Sequence, residues 1–188
     1  LETAADRHHT AAGSRLPLVV REDDPWLADE WRRRGVGDTH FAIDALSTYE
    51  ETADALVALL LEPMRHLRHV IVVGAGPLAL ALLAELSQRG RELQFVGEGA
   101  ALPEVTLVDA AASEYVDDHR ERQKRFVFDP LVVSAVDDYP ALEPVERRIR
   151  AMQAQDAGAG CLAVVVDLED SRLGTRLALR YRDILVLE

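Results

Sequence analysis

A short glycine-rich segment follows a strongly apolar run and is the part of the sequence best suited to chemistry. The run HVIVVGAG (69–76) is typical of a buried central strand, and Gly74-Ala75-Gly76-Pro77-Leu78-Ala79 comes where a helix should begin. Gly74 permits a tight turn, Gly76 lets a pyrophosphate approach the backbone, and Ala79 lets the helix lie close to the strand. The first helical amides would then bind the phosphates, so the segment predicts a dinucleotide-binding turn.

Such a turn works with an acidic side chain that ends the next strand and binds the hydroxyls of an adenosine ribose. Asp109, the last residue of VTLVD (105–109), is the candidate. It lies 33 positions after Gly76, whereas the usual spacing is about 20. An inserted loop or hairpin at 89–104, a polar and glycine-containing stretch, would account for the excess. Asp109 is alternatively a helix cap, and the two roles are compatible.

Pro77 is an argument against phosphate binding, because proline has no amide to donate at the start of the helix. The amides of Leu78 and Ala79 remain, and no Lys or Arg lies within the motif. Phosphate affinity would therefore depend on backbone amides and the helix dipole. A Rossmann unit that binds nothing is the alternative.

The elements around this motif alternate between strands and helices. This pattern predicts an α/β protein with a doubly wound, mainly parallel, Rossmann-like sheet and helices on both faces. The predicted strands are 16–20, 39–43, 69–76, 105–109, 131–136, 161–168 and 183–187. The predicted helices start near Asp23 or Asp24, at Ser47, at Pro77, before Tyr115, near Leu142 and at Asp170 or Ser171.

The helix predicted for 77–88 is apolar almost all round, which a helix with one face in water would not be. A second layer or another subunit should therefore cover it, and we expect a homodimer. The N-terminal segment 16–66, folded over the helix, is the competing source of cover.

Composition excludes several classes of function. The 188 residues carry 21 Lys and Arg against 33 Asp and Glu, a net charge of −12, which is the wrong sign for binding nucleic acid or anionic lipid. The longest apolar stretch, 70–84, is too short to span a bilayer, so we expect no membrane insertion. The single cysteine, Cys161, lies in an apolar run and predicts a buried residue in a reducing, cytoplasmic compartment.

No catalytic set is visible, so we do not expect an enzyme and assign no catalytic or metal-binding residue. The sequence has no G-x-S-x-G, Walker or H-E-x-x-H motif. Adjacent His8 and His9 have no third ligand near them. The remaining histidines are scattered, and each is more typical of a surface residue than of a general base: His40, His66, His69 and His119. A small NAD-dependent oxidoreductase is the weakest alternative.

From about residue 68 onwards the sequence resembles the nucleotide-binding lobe of TrkA-N domains, also called RCK or KTN domains. The resemblance is carried by HVIVVGAGPLALALLAEL, VTLVD, LVVSAVDDYPAL and CLAVVVDLEDSRLGTRLAL. The segment LPLVVREDDPWLADEWRRRGVGDTHFAIDALSTYEETA resembles the closing part of such a domain, although it comes first here. We therefore expect a flexible start (1–15), the end of one TrkA-N unit (16–66) and a Rossmann-like nucleotide-binding domain (67–188).

The resemblance implies a regulatory module that binds NAD(H) or an adenine nucleotide. Gly74, Gly76 and Ala79 match the glycine-rich turn of the family, Asp109 matches its ribose-binding acid, and Asp137 matches an acidic turn near the adenine. Pro77 departs from the family, where a basic residue is frequent. The implied partner is a potassium channel or transporter, or another domain of the parent chain.

Overall fold

The computed structural model describes residues 15–61, 67–97, 102–126, 128–155 and 162–186. Two compact units divide the chain, Leu1–Thr52 and Ala53–Glu188, and each is described by itself. The division falls inside a helix, whereas the sequence prediction places a boundary after residue 66. The predictions for Cys161, for His66 and for the His8–His9 pair lie outside the described residues.

The first unit is a strand-helix-strand motif that leads into a second helix. Strands β1 (Leu16–Arg21) and β2 (Phe41–Leu46) pair in parallel, and helix α1 (Pro25–Gly35) connects them along the chain. Helix α2 (Thr48–Leu60) follows β2. Asp24 caps α1, because its Oδ1 accepts from the Leu27 amide at 3.1 Å. Strand β2 starts two residues later than predicted, because the Asp38 carboxylate accepts from the amides of His40 and Phe41 and forms a turn there.

The second unit is built on a four-stranded, entirely parallel sheet of order β5-β4-β3-β6. Parallel neighbours require a crossover between strands, and a helix supplies each one. The strands are β3 (His69–Val73), β4 (Glu104–Asp109), β5 (Val133–Asp137) and β6 (Leu162–Val166). The helices are α3 (Pro77–Val96), α4 (Ala112–Gln123), α5 (Leu142–Gln155) and α6 (Ser171–Val186).

Side chains of the central strands alternate between two buried faces. One face joins α5 and α6 in a single core cluster of Ile71, Val73, Val108, Val145, Ile149, Met152, Leu177 and Tyr181. Val70, Val72 and Leu107 point to the other face and are also fully buried. The predicted doubly wound α/β fold of Rossmann-like type is confirmed.

Helix α3 runs eight residues beyond the predicted end at Gln88, to Val96. Residues 89–96 are therefore helical and not part of an inserted loop or hairpin, and α3 as a whole, with 20 residues, fills most of the interval between Gly76 and Asp109. Gly90, which suggested a spacer, is buried inside α3 because Leu102 and Pro130 pack against it. A Cβ there would lie 2.4 Å from Leu102 Cδ1, so glycine here serves close packing and not a turn.

The prediction of a final strand at 183–187 is wrong, because helix α6 continues to Val186. Leu173, Leu177, Tyr181 and Ile184 keep helical spacing, and all four belong to or pack against the core cluster. A short apolar run does not by itself distinguish a strand from the last turns of a buried helix.

The apolar helix α3 is covered within this chain. Leu82, Leu83 and Leu86 are fully buried in the single chain. The covering layer that the sequence demands is therefore present without a second copy, and this helix gives no reason to expect a homodimer. Among the described residues, no helix is long and apolar enough to cross a membrane.

Candidate functional site

The glycine-rich turn joins β3 to α3 at the carboxyl edge of the sheet. Gly74 has φ of +99°, and its amide donates to the Val108 carbonyl at 2.9 Å. A Cβ at Gly74 would lie 1.9 Å from the carbonyl oxygen of Asp167, so only glycine fits this position. Gly76 is the N-cap of α3 and Pro77 opens the helix, which agrees with the positions that the sequence predicts.

This turn lies where the direction of strand order reverses. From β3 the chain goes to β4 on one side of the sheet, and β6 later returns to pair on the other side. In open α/β sheets, ligands bind in the crevice at such a switch point, outside the carboxyl ends of the strands. The structure therefore places Gly74, Ala75, Gly76, Leu78 and Ala79 at the position that the fold favours for a ligand.

Asp109 is brought to the turn as predicted. Its Oδ2 accepts from the Ala75 amide at 3.2 Å, and its Oδ1 accepts from the Ala111 amide at 3.0 Å. The second contact orders the loop that enters α4, but Asp109 is not the cap of that helix, because the N-cap position is Ala111. An ionised carboxylate has about four lone-pair positions, and two amide bonds leave acceptor capacity for ribose hydroxyls.

Asp137 ends β5 and stands beside Asp109 in the register of the two strands. It is exposed, and its carboxylate accepts from the Ser113 amide at 2.7 Å and from the Ser113 hydroxyl at 2.5 Å. These bonds from Ser113 lower the pKa of Asp137. Asp137 is thus on the predicted edge, but its contacts are to the first turn of α4.

The residue that sequence reasoning missed is Asp167, which directly follows β6. Its amide donates to the Val73 carbonyl at 2.8 Å, and its Oδ2 accepts from the Ala79 amide at 2.9 Å. An acid after an apolar run was visible in the sequence as VVVDL, but it was assigned only to a strand end. The pairing of β6 with β3 brings it to the turn, and that pairing is not readable from sequence.

The Asp167 carboxylate lies at the N-terminus of α3, where a pyrophosphate would bind in a Rossmann site. Burial raises its pKa, although the amides of Ala79, Gly76 and Leu78 oppose the shift by donating to the charged form. No Lys or Arg occurs in 74–80, 109–113, 137–141 or 167–171. The edge is consequently acidic, and its own carboxylates occupy amides that a phosphate would use.

A serine, a histidine and an aspartate meet elsewhere in the second unit, beside the middle of α3. The Ser87 hydroxyl donates to Asp129 at 2.9 Å, and His119 Nε2 lies 3.2 Å from the same carboxylate. Ser87 is fully buried and His119 is 2% exposed, so no substrate reaches them. Burial lowers the pKa of His119, which favours the neutral ring. The cluster links α3, α4 and the segment before β5.

The other described histidines do not join a common site. His40 precedes β2 in the first unit, and His69 begins β3 at the amino edge of the sheet, opposite the glycine-rich turn. Within residues 15–61, 67–97, 102–126, 128–155 and 162–186, no group of three or more His, Cys, Asp or Glu is arranged to hold a metal ion.

The fold defines a class, that of Rossmann-like α/β proteins, and the glycine-rich turn lies at the switch point of its sheet. Comparison of the chain with protein-family models, with curated proteins and with solved structures finds no match. The resemblance to TrkA-N domains therefore stands on the quoted motifs alone, and what it implies is a proposal.

Proposed function

We propose that the second unit is a regulatory nucleotide-binding module of TrkA-N type, which takes NAD(H) or an adenine nucleotide. The observation that carries the proposal is the contact between the glycine-rich turn and Asp109, at 3.2 Å from the Ala75 amide to Oδ2. A turn at the switch point with a ribose-binding acid beside it is the minimal adenosine site of this fold.

The charge of the site selects among nucleotides. Asp109 would accept from the 2′- and 3′-hydroxyls of a ribose, whereas a 2′-phosphate would meet its negative charge. The sequence has no Lys or Arg in 109–113 to neutralise that phosphate. NAD(H), ADP and ATP are therefore favoured over NADP.

A regulatory role is proposed over catalysis because the segments at this edge, 74–80, 109–113, 137–141 and 167–171, contain no histidine, lysine or cysteine. The Ser113 hydroxyl there is bonded to the Asp137 carboxylate, which it helps to hold against the first turn of α4. The Ser87–His119–Asp129 cluster is buried and does not supply a nucleophile-base pair. By the resemblance, the partner that reads the bound state is a membrane transport protein or another domain of the parent chain, in the cytoplasm.

A second candidate, a ligand-free Rossmann scaffold used for assembly, is favoured by one specific observation. The Asp167 carboxylate binds the first amides of α3, at 2.9 Å from the Ala79 amide, and so satisfies the helix from within the chain. A helix N-terminus that is capped in this way does not need an external anion.

Calorimetric titration of the whole chain with NAD, NADH, NADP, ADP, ATP and AMP tests the proposal. We expect binding of NAD or an adenine nucleotide, with NADP the weaker ligand. Asp109→Asn should weaken binding by about tenfold or more, because a charged acceptor is lost to the ribose. Asp138→Asn is the matched control, since Asp138 is exposed at the same edge and its carboxylate accepts from the Tyr139 amide at 2.8 Å.

Tighter binding of NADP than of NAD would contradict the role of Asp109. Equal loss of affinity in Asp109→Asn and Asp138→Asn would show that only the overall charge of the edge matters. The ligand-free scaffold would be favoured if neither the wild type nor variants that remove the Asp167 carboxylate bound any of these nucleotides at millimolar concentration.

A further inference from the structure

The side chain of Asp167 fills the space directly in front of Gly76. A Cβ built on Gly76 would lie 2.6 Å from Asp167 Oδ2 and 3.1 Å from Oδ1. In a dinucleotide site this glycine is small so that a pyrophosphate can approach the backbone. Here the group that approaches the backbone at that place is a carboxylate of the chain itself.

The backbone of Asp167 is held by the strand pairing, whereas its carboxylate is held only by hydrogen bonds from the first amides of α3. The Asp167 amide is bonded to Val73, and its carbonyl oxygen lies so close to Gly74 that no Cβ fits between them. The end of β6 therefore cannot withdraw without breaking the pairing with β3. A rotation about the side-chain bonds of Asp167 would move only the carboxylate and would expose the amides of Gly76, Leu78 and Ala79.

Two anions cannot share those amides. A phosphate at the start of α3 would lie within a few ångströms of the Asp167 carboxylate, and Asp109 adds a further negative charge across the turn. Pro77 already lacks a donor, so the helix has no spare first amide for a second anion. Like charges at short range in a partly buried site repel strongly.

We propose that Asp167 is a tethered competitor for the phosphate position and thereby determines which nucleotides the turn accepts. A ligand with a pyrophosphate must displace the carboxylate, and a ligand that contacts only Asp109 through its ribose need not. This inference rests on the proposed nucleotide-binding function and assigns to Asp167 the control of its specificity.

The test compares ligands with and without phosphate on charge-matched variants of the whole chain. Asp167→Ala and Asp167→Asn are titrated with ADP, with inorganic pyrophosphate and with adenosine. Glu169→Gln is the control, because Glu169 is exposed two positions away and the substitution removes the same charge. Thermal unfolding without ligand checks that each variant is folded, and Asp167→Asn retains an acceptor for the α3 amides if Asp167→Ala does not fold.

We expect ADP and pyrophosphate to bind at least about tenfold more tightly to Asp167→Ala than to the wild type, with a smaller gain in Asp167→Asn. Adenosine affinity should change by less than about twofold in both, and Glu169→Gln should behave as the wild type. The gain must therefore be specific to phosphate and to this carboxylate.

Two results would overturn the role of Asp167 as a competitor and leave the proposed nucleotide-binding function standing. One is micromolar binding of ADP by the wild type that neither Asp167 variant improves, and the other is an equal gain for adenosine and ADP. If neither the wild type nor any folded Asp167 variant binds ADP at millimolar concentration, the tethered competitor and the nucleotide-binding function fall together.

Discussion

Replacement of Gly74 by alanine should separate two costs that the structure places at one residue. The first is conformational, because φ of +99° lies in a region that L side chains rarely adopt. The second is steric, because the new Cβ would lie 1.9 Å from the Asp167 carbonyl oxygen and 2.9 Å from Leu168 Cδ2. Gly97, the C-cap of α3, provides the comparison, since it has φ of +77° and nothing within 4 Å of its Cβ position.

The magnitudes follow from these two environments. Gly97→Ala carries only the left-handed backbone cost, about 1 kcal/mol in the free energy of unfolding. Gly74→Ala carries that cost plus an overlap with backbone that cannot move without loosening β6, which adds about 1–3 kcal/mol. The bond from the Asp167 amide to Val73, 2.8 Å long, would be strained as well, at about 1 kcal/mol. We expect Gly74→Ala to be more destabilising than Gly97→Ala by about 2 kcal/mol or more.

Urea denaturation followed by far-ultraviolet circular dichroism is the suitable assay. Both tryptophans, at positions 26 and 31, belong to the first unit, whereas the far-ultraviolet signal includes the four helices of the second unit directly. Equal destabilisation by the two substitutions would show that Asp167 does not press against Gly74. A larger effect of Gly97→Ala would refute the steric reasoning altogether.

Two further predictions concern the interior of the second unit. Burial lowers the pKa of His119 below its ordinary 6.5. The unfolded chain therefore takes up a proton on this ring at a higher pH than the folded chain does. The stability that depends on the neutral ring is complete above pH 6.5 and is lost as the pH falls through the lowered pKa. Urea midpoints between pH 5 and pH 8 should therefore fall toward acid in the wild type and less so in His119→Gln; parallel curves would contradict this. A glycine-to-alanine change in an exposed helix stabilises it by about 1 kcal/mol. In Gly90→Ala the new Cβ would lie 2.4 Å from Leu102 and 2.7 Å from Pro130, so we expect the free energy of unfolding to fall by about 1–2 kcal/mol. A urea midpoint higher than that of the wild type would contradict this.

The candidate site was predictable where one segment of chain carries the chemistry. Gly74, Gly76 and Ala79 are contiguous with the strand and helix that position them, so local spacing suffices to place them. Asp109 was also found, because the end of β4 must reach the same sheet edge as the end of β3. The reason given for its long spacing was wrong, since α3 is longer than its apolar stretch.

The end of α3 was missed because its last turns are mostly exposed, including Phe95 and Val96, and contain a glycine. Periodicity detects a helix through its buried face, and Arg89, Glu92, Gln94 and Phe95 are exposed. Gly90 carries a penalty in any helix, and here close packing against Leu102 and Pro130 requires it. The helical end of α6 was missed for the converse reason, because DILVL is apolar enough to resemble a strand.

The sequence by itself determined the alternation of strands and helices, the buried strand β3, the glycine-rich turn and the acidity of its surroundings. These properties depend on residue type and on spacing within one element. Only the tertiary structure decided what occupies the phosphate position, because Asp167 is 91 positions from Gly76 in the chain and reaches it through the pairing of β6 with β3. Which strand lies beside β3 is a property of the whole sheet, set by the packing of α5 and α6 on one face, and no local pattern encodes it.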